Sequence, residues 1–168
     1  MKATLWIPAS LTLALAAGVG ALAEVHATPS TATSKVLAQA KVAPIDVRVH
    51  QRTASGARWR AEIQTRGLSD GYVVDNVFQP GQSTGWHSHP GPSLIFVVSG
   101  AVTNYVDRNH GCKGVTHEAG TSFVDAGGRD VHMLRDDADV PAETIAVQLI
   151  PSGQERRVEK PAPARCDG

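Results

Sequence analysis

The chain has 168 residues, enough for one domain with a single sizeable core plus extensions. Its 16 basic residues balance its 16 acidic residues, and no basic run marks a nucleic-acid surface, so we expect no nucleic-acid partner. The 16 glycines and 10 prolines favour many short strands and turns over a helical bundle.

The N-terminus has the pattern of a signal peptide. A positive start at Lys2 precedes an apolar run, residues 11–23, that is too short and too rich in Gly and Ala for a membrane span. Ala21-Leu22-Ala23 and Val25-His26-Ala27 both fit a cleavage site. We therefore predict a signal peptide over residues 1–23, a periplasmic or secreted protein, and no membrane contact after cleavage. An uncleaved N-terminal anchor is the alternative.

The rest of the chain indicates one all-β domain. Residues 24–43 are rich in Ala, Thr and Ser without an amphipathic period, which predicts a flexible lead-in. About ten short segments between residues 44 and 150 have strand character and are separated by turns, which predicts a sandwich or barrel. The predicted strands are 44–49, 57–64, 71–78, a short one at residues 87–89, 93–99, 101–106, 115–118, 121–124, 131–135 and 143–150. Residues 107–114 are predicted to form a polar loop.

Two histidines, His87 and His89, are separated by one residue. Side chains of a strand alternate, so this spacing places both imidazoles on one face. Pro80-Gly81 before the pair and Pro90-Gly91-Pro92 after it confine the pair to a short segment. His132 lies in a second Gly-rich turn-and-strand unit. The pattern favours a metal ion held inside a small barrel, and two histidines on an exposed strand are the alternative.

Two spaced motifs carry a resemblance to a known family. Gly81-x5-His87-x-His89-x3-Ser93-x6-Gly100 follows the first motif of the cupin superfamily, and Gly120-x5-Ala126-x-Gly128-x3-His132 resembles the second. The chain is similar to small exported bacterial single-domain cupins over roughly residues 45–150. The resemblance implies a jelly-roll β-barrel, often a homodimer, with a divalent metal in the barrel mouth. Ser93 departs from the motif, which has a glutamate ligand there, and Ala126 replaces a proline.

The resemblance implies that His87, His89 and His132 are the ligands of one divalent transition metal. Imidazole donors do not choose between Fe, Ni, Cu, Mn and Zn. Three neutral donors leave the ion its full positive charge, which favours a small organic anion as the bound molecule. Ser93 can at most donate a hydrogen bond to a metal-bound water, and a barrel that has lost its metal is the alternative.

Four polar residues are candidates to line the cavity: Ser93, Asn76, Tyr105 and Gln148. Asn76 and Gln148 lie on apolar strands, where a buried amide must find a hydrogen-bond partner. Tyr105 is a candidate because it is close in sequence to the site.

Cys112 and Cys166 are the only cysteines. Export favours a disulfide between them, which would pin the Pro-rich tail, residues 151–168, onto the barrel. Two free thiols are the alternative. A zinc site formed by His110, Cys112 and His117 is a weaker hypothesis, because their spacing resembles no standard zinc site.

These observations predict an exported metal-dependent enzyme, dioxygenase-like, that acts on a small organic anion. No residue stands out as a general base, so whether the chain is an enzyme stays open. The alternatives are a binding or sensing module for a small molecule, with or without metal, and a structural protein whose barrel the metal only stabilises.

Overall fold

The computed structural model describes residues 28–108, 111–164 and 166, so the signal peptide predicted for residues 1–23 lies outside the described residues. All regular secondary structure in the described ranges is β-strand, as predicted. The strands are β1 (Thr33–Val42), β2 (Asp46–Arg52), β3 (Arg58–Gln64), β4 (Ser69–Phe78), β5 (His87–Ser88), β6 (Ser93–Ser99), β7 (Ala101–Arg108), β8 (Gly111–Glu118), β9 (Ser122–Asp125), β10 (His132–Arg135), β11 (Ala142–Pro151) and β12 (Val158–Glu159). No helix in the described ranges is long and apolar enough to cross a membrane.

Two five-stranded antiparallel sheets form a jelly-roll barrel. The first sheet has the strand order β1-β4-β11-β6-β9, and the second has the order β12-β5-β10-β7-β8. Strands that are distant in sequence are neighbours in these sheets, because β11 lies between β4 and β6. Strands β2 and β3 pair only with each other and form a separate hairpin. The all-β barrel predicted from the sequence is confirmed.

The first strand lies inside the lead-in that the sequence predicts to be flexible. Strand β1 falls within residues 24–43 and pairs with β4 from Thr33 to Val42. It is an edge strand whose side chains are almost all exposed, so it needs no apolar alternation and its sequence resembles a flexible segment. An ion pair of 2.6 Å between Lys41 Nζ and Asp70 Oδ1 joins the end of β1 to β4.

Two further segments correct the sequence prediction. Residues 107–108 and 111–114, predicted as parts of a polar loop, belong instead to paired strands, because β7 ends at Arg108 and β8 begins at Gly111. The tail predicted for residues 151–168 contributes β12, which pairs with β5 and so becomes part of the barrel. Both segments are polar and lie at sheet ends or edges, where pairing depends on backbone hydrogen bonds rather than on buried side chains.

The apolar core lies between the two sheets. Along β6, Ser93, Ile95 and Val97 are buried, whereas the alternate residues Leu94 and Phe96 are exposed. One buried cluster joins side chains of both sheets: Phe78, Val97, Val102, Leu134 and Ala142. Burying a large apolar side chain contributes about 1.5–3 kcal/mol, so this cluster is a main source of barrel stability.

A disulfide joins Cys112 of β8 to Cys166, with 5.2 Å between their Cα atoms. The bond connects the end of the tail to the second sheet. Together with the pairing of β12, it holds residues 151–164 against the barrel at the side where the histidines lie.

Candidate metal centre

Three buried histidines meet inside the barrel. His87 opens β5, His89 follows directly after that strand, and His132 opens β10. His87 and His132 are direct Cα partners in the antiparallel pairing of β5 with β10, so their side chains project to the same side. One nitrogen from each ring lies within 4.8 Å of the others. Over the described ranges, no other group of three such side chains has a geometry that could hold a metal.

The turn that precedes β5 requires a glycine at position 85. Gly85 has a φ of +65°, and a Cβ atom there would lie 2.1 Å from the carbonyl oxygen of Thr28. Only glycine permits both the left-handed conformation and this close backbone approach. The carbonyl oxygen of Gly85 lies 2.9 Å from His87 Nδ1. The same turn therefore orients the first histidine.

Backbone carbonyls fix the tautomers of His87 and His89. His87 Nδ1 faces the carbonyl of Gly85, and His89 Nδ1 lies 2.7 Å from the carbonyl oxygen of Arg156. A carbonyl oxygen can only accept, so each Nδ1 donates its proton and each Nε2 carries a lone pair. The two Nε2 atoms lie 3.1 Å apart. Two lone pairs therefore point into the same small space.

The three rings are neutral at pH 7. Burial, followed by the proximity of His132 and Arg157, holds the pKa of His87 well below its usual value. Burial lowers the pKa of His89 and that of His132 to about 4. No proton is therefore available near neutral pH to bridge the two Nε2 lone pairs. A cation between them would replace their repulsion with attraction.

His132 supplies a third donor. Neither of its ring nitrogens has a hydrogen-bond partner among the described residues, although the residue is only 3% exposed. A buried polar atom without a partner costs stability, and a metal ion is a partner that a neutral imidazole can take. Two nitrogens bound to one ion at about 2.0–2.1 Å lie roughly 3–3.5 Å apart. The His87–His89 spacing agrees with this, so the donor set fits a divalent transition metal.

A carboxylate lies one strand away from the position where the family motif has its glutamate. Ser93 of β6 and Asp125 of β9 are direct Cα partners, so they project from the same face of the sheet. Asp125 Oδ1 accepts a hydrogen bond from the backbone N–H of Gly127 at 3.0 Å and so stabilises the turn that follows β9. Its Oδ2 lies 3.6 Å from His132 Nε2. That distance is longer than a hydrogen bond and close to the spacing of two ligands on one ion.

The histidines open into a small cavity with a volume of about 40 Å³. Its lining includes three of the four predicted residues, Asn76, Ser93 and Gln148. Gln148 Nε2 donates to Ser93 Oγ at 2.9 Å and lies 3.4 Å from His89 Nε2. A water molecule occupies about 10–15 Å³ by the same measure of volume. The cavity therefore has room for an ion and a ligand of only a few atoms.

The prediction that Tyr105 lines this cavity is wrong. Tyr105 is the Cα partner of Met133, the residue after His132, so strand alternation turns its side chain to the other face of the sheet. Its hydroxyl donates to Asp137 Oδ2 at 2.7 Å and accepts from Arg135 Nη2 at 3.0 Å. Proximity in sequence to a metal ligand did not indicate which face the residue occupies.

The sequence analysis missed two arginines of the tail. Arg156 and Arg157 line the cavity, and they directly precede β12, which pairs with β5. Arg156 contributes twice, because its carbonyl accepts from His89 and its Nη1 donates to Gln148 Oε1 at 3.0 Å. No apolar period marks this part of the tail. The expected disulfide was the one sequence feature that placed the tail against the barrel.

The alternative zinc site receives no support from the described residues. Cys112 is bonded to Cys166, and the ring of His117 stacks on Phe123 with 4.1 Å between centroids. His110, the third member of that set, lies outside the described residues.

Comparison with known proteins adds a family match. The family model described as a cupin domain matches residues 76–148, which include all three histidines. No curated protein sequence matches the chain.

Solved structures with a similar fold include three bacterial proteins. A double-stranded β-helix protein from Klebsiella pneumoniae is 17% identical, with a TM-score of 0.45, over 70% of this chain and 84% of that chain. A cupin superfamily protein from Desulfitobacterium hafniense is 10% identical, with a TM-score of 0.42, over 69% and 81%. A predicted oxalate decarboxylase from Thermotoga maritima is 19% identical, with a TM-score of 0.40, over 50% and 82%. Both sequence motifs, the jelly-roll topology and the family match over residues 76–148 support a place for this chain in the cupin superfamily.

Proposed function

We propose that the chain binds one divalent transition metal through His87, His89 and His132 and works as a metal-dependent enzyme, dioxygenase-like, on a small organic anion. The observation that carries this proposal is the pair of Nε2 lone pairs 3.1 Å apart on neutral, buried rings. When bound, the ion polarises a ligand or activates dioxygen. The protein holds the donors in place through the carbonyls of Gly85 and Arg156.

The charge of the cavity supports an anion as the bound molecule. Three neutral imidazoles do not reduce the charge of the ion, and Asp125 would reduce it by only one unit. The guanidinium groups of Arg156 and Arg157 add positive charge to the cavity wall. The volume of about 40 Å³ restricts the part of the anion that enters to a few atoms.

The identity of the metal is left open by the donor set. Nitrogen ligands with at most one carboxylate suit Fe, Ni, Cu, Mn or Zn. Fe, Cu or Mn would support oxygen chemistry, whereas Zn would support a Lewis-acid role.

The second candidate function is a binding or sensing module without turnover. The composition of the cavity favours it, because the titratable side chains of its lining are the three histidines and the two arginines. The histidines are assigned to the metal, and an arginine does not exchange its proton near neutral pH. Asn76, Ser93 and Gln148 position ligands but do not act as a general base.

Export and dimerisation are further parts of the proposal. The Cys112–Cys166 disulfide supports an oxidising compartment, periplasmic or extracellular, and hence a signal peptide over residues 1–23.

A homodimer is supported by an apolar patch on the outer face of the first sheet. The patch comprises Leu94, Phe96, Val98, Val124 and Val147, each 39–62% exposed. Light scattering coupled to size exclusion would measure the dimer, and a monomer at micromolar concentration would contradict it.

Metal analysis of the purified protein tests the proposed function. Protein made in metal-replete medium is expected to retain stoichiometric metal, and His132→Gln is expected to lose it with an unchanged circular dichroism spectrum. Oxygen consumption with a panel of small carboxylates then separates an enzyme from a binding module. Wild-type protein without metal after metal-replete expression would contradict the metal-dependent enzyme and the structural protein that the metal stabilises, and would leave a binding module that works without metal.

A further inference from the structure

We propose that the side chain of Arg156 is the receptor for a carboxylate of the bound ligand, so that the tail of the chain determines ligand specificity. The ligand would be a small anion with two functional groups, one on Arg156 and one on the metal. The inference rests on the proposed function, because it requires the ion at His87, His89 and His132.

The two tail arginines differ in their partners. Arg157 is satisfied within the protein: it pairs with Glu159, where Nη2 lies 2.8 Å from Oε2, and it also donates to the carbonyl of Thr84. Arg156 is half-buried and donates from Nη1 to the neutral amide oxygen of Gln148. Among the residues that the structure describes, no carboxylate forms an ion pair with Arg156. A desolvated guanidinium that has no carboxylate partner within the protein is suited to bind a carboxylate of a ligand.

The position of Arg156 relative to the metal donors suits a ligand with two groups. The amide of Gln148 lies between them: its oxygen accepts from Arg156 at 3.0 Å, and its nitrogen lies 3.4 Å from His89 Nε2. One amide group therefore separates the guanidinium from a metal-binding nitrogen. A ligand that reaches both needs two polar groups joined by one or two carbon atoms, which agrees with the small cavity.

The backbone keeps this arginine in register with the metal donors. The carbonyl of Arg156 accepts from His89 Nδ1, and β12 pairs with β5 immediately beyond the two arginines. A substitution of the side chain leaves that carbonyl in place. The role of the guanidinium can therefore be tested without removing the hydrogen bond that orients His89.

The test compares two probes on protein loaded with Co²⁺, whose visible spectrum reports anions that bind the ion. Glycolate carries a carboxylate and a hydroxyl group, whereas azide needs only a metal position. Because charge-assisted hydrogen bonds are strong, Arg156→Gln is expected to weaken glycolate binding about 10- to 100-fold and azide binding less than about threefold. Arg156→Lys keeps the charge but loses the planar fork, so we expect a loss of about tenfold for glycolate.

Arg48→Gln is the matched control. The substitution removes the same charge as Arg156→Gln. Arg48 lies in the β2–β3 hairpin, outside the cavity, where its Nε is 3.0 Å from Glu62 Oε1. It is expected to leave both probes unchanged. Unchanged glycolate binding in Arg156→Gln, an equal loss for both probes, or full retention in Arg156→Lys would each overturn the inference. Wild-type protein that takes up no Co²⁺ would overturn the proposed function as well, so the two failures are distinguishable.

Discussion

The two ends of the barrel interior are built by the same strands but have opposite chemistry. Strands β6 and β11 each place one polar residue at the histidine end and one apolar residue at the other end. The pairs are Ser93 and Val97, and Gln148 and Ala142. At the apolar end, stability comes from buried side chains. At the histidine end, buried polar atoms face one another, and His132 has no hydrogen-bond partner among the described residues.

This difference suggests a division of roles along each strand. Removing water from apolar surface stabilises the fold whether or not a cation is present, whereas at the histidine end the proposed ion would supply the partner that His132 lacks among the described residues. Substitutions at one end should therefore change the free energy of unfolding, and substitutions at the other should change metal affinity. The predictions below separate these two effects.

Replacing His87 by alanine is expected to give the largest effect on the metal. Loss of a direct ligand should weaken metal affinity by more than about 100-fold, beyond the effect of losing an outer partner. The melting temperature of EDTA-treated protein should change little, because the apolar cluster is intact. Metal analysis and thermal unfolding measure the two quantities. Retained stoichiometric metal, together with a large loss of melting temperature, would refute the division of roles.

Replacing Phe78 by alanine tests the apolar end, where the expected effect is on the free energy of unfolding rather than on metal affinity. Phe78 is fully buried in the main cluster, so its truncation should lower the free energy of unfolding by about 3–5 kcal/mol. Urea unfolding of EDTA-treated protein measures the loss. The fraction that remains folded should still bind stoichiometric metal, and loss of metal from well-folded variant protein would show that the ends are coupled.

Acid should destabilise the metal-free protein through its buried histidines. The pKa of His132 is about 4 in the folded protein and about 6.5 in an unfolded chain, so between these values only the unfolded state takes up a proton. Stability is therefore lost as the pH falls, beginning near 6.5 and levelling off near 4. His132 alone should contribute on the order of 3 kcal/mol. In urea unfolding at stepped pH, His132→Gln should flatten the profile, and an equally steep profile in that variant would contradict the assignment.

Substitution of Asp125 is expected to have a smaller effect on metal affinity, and Asp136 is its matched control. Both are buried and accept a backbone N–H two residues on, Gly127 at 3.0 Å and Ala138 at 2.9 Å. Only Asp125 lies near a histidine nitrogen. Asp125→Asn should weaken Co²⁺ affinity about tenfold or more, and Asp136→Asn should not. Equal affinities of the two variants in a chelator competition would show that the Asp125 carboxylate does not act on the ion.

The sequence was sufficient for the barrel and for the three histidines, because both depend on local patterns. Strand alternation and turn residues mark β4, β6 and β11, and the His-x-His spacing needs only the period of a strand. The assignment of His132 as the third donor followed from the resemblance of the second motif to the cupin pattern. These features do not depend on knowing which strands are neighbours.

The features that were missed depend on strand pairing across long sequence distances. The edge strand β1 and the tail strand β12 carry no apolar alternation, and they are held by backbone pairing with β4 and β5. Arg156 enters the site only because β12 joins β5. The sequence placed Tyr105 near the site, but the register with Met133 turns it away.

Nitrogen-15 NMR of the imidazoles tests the central claim most directly, because it reports each ring nitrogen separately. In metal-free protein at pH 7, His87 and His89 should be neutral with the proton on Nδ1. One equivalent of Zn²⁺ should shift the Nε2 resonances of both rings, together with one nitrogen of His132, and leave the Nδ1 protons in place. Protonated Nε2 atoms in the metal-free state, or resonances unchanged by Zn²⁺, would contradict a metal centre at this site.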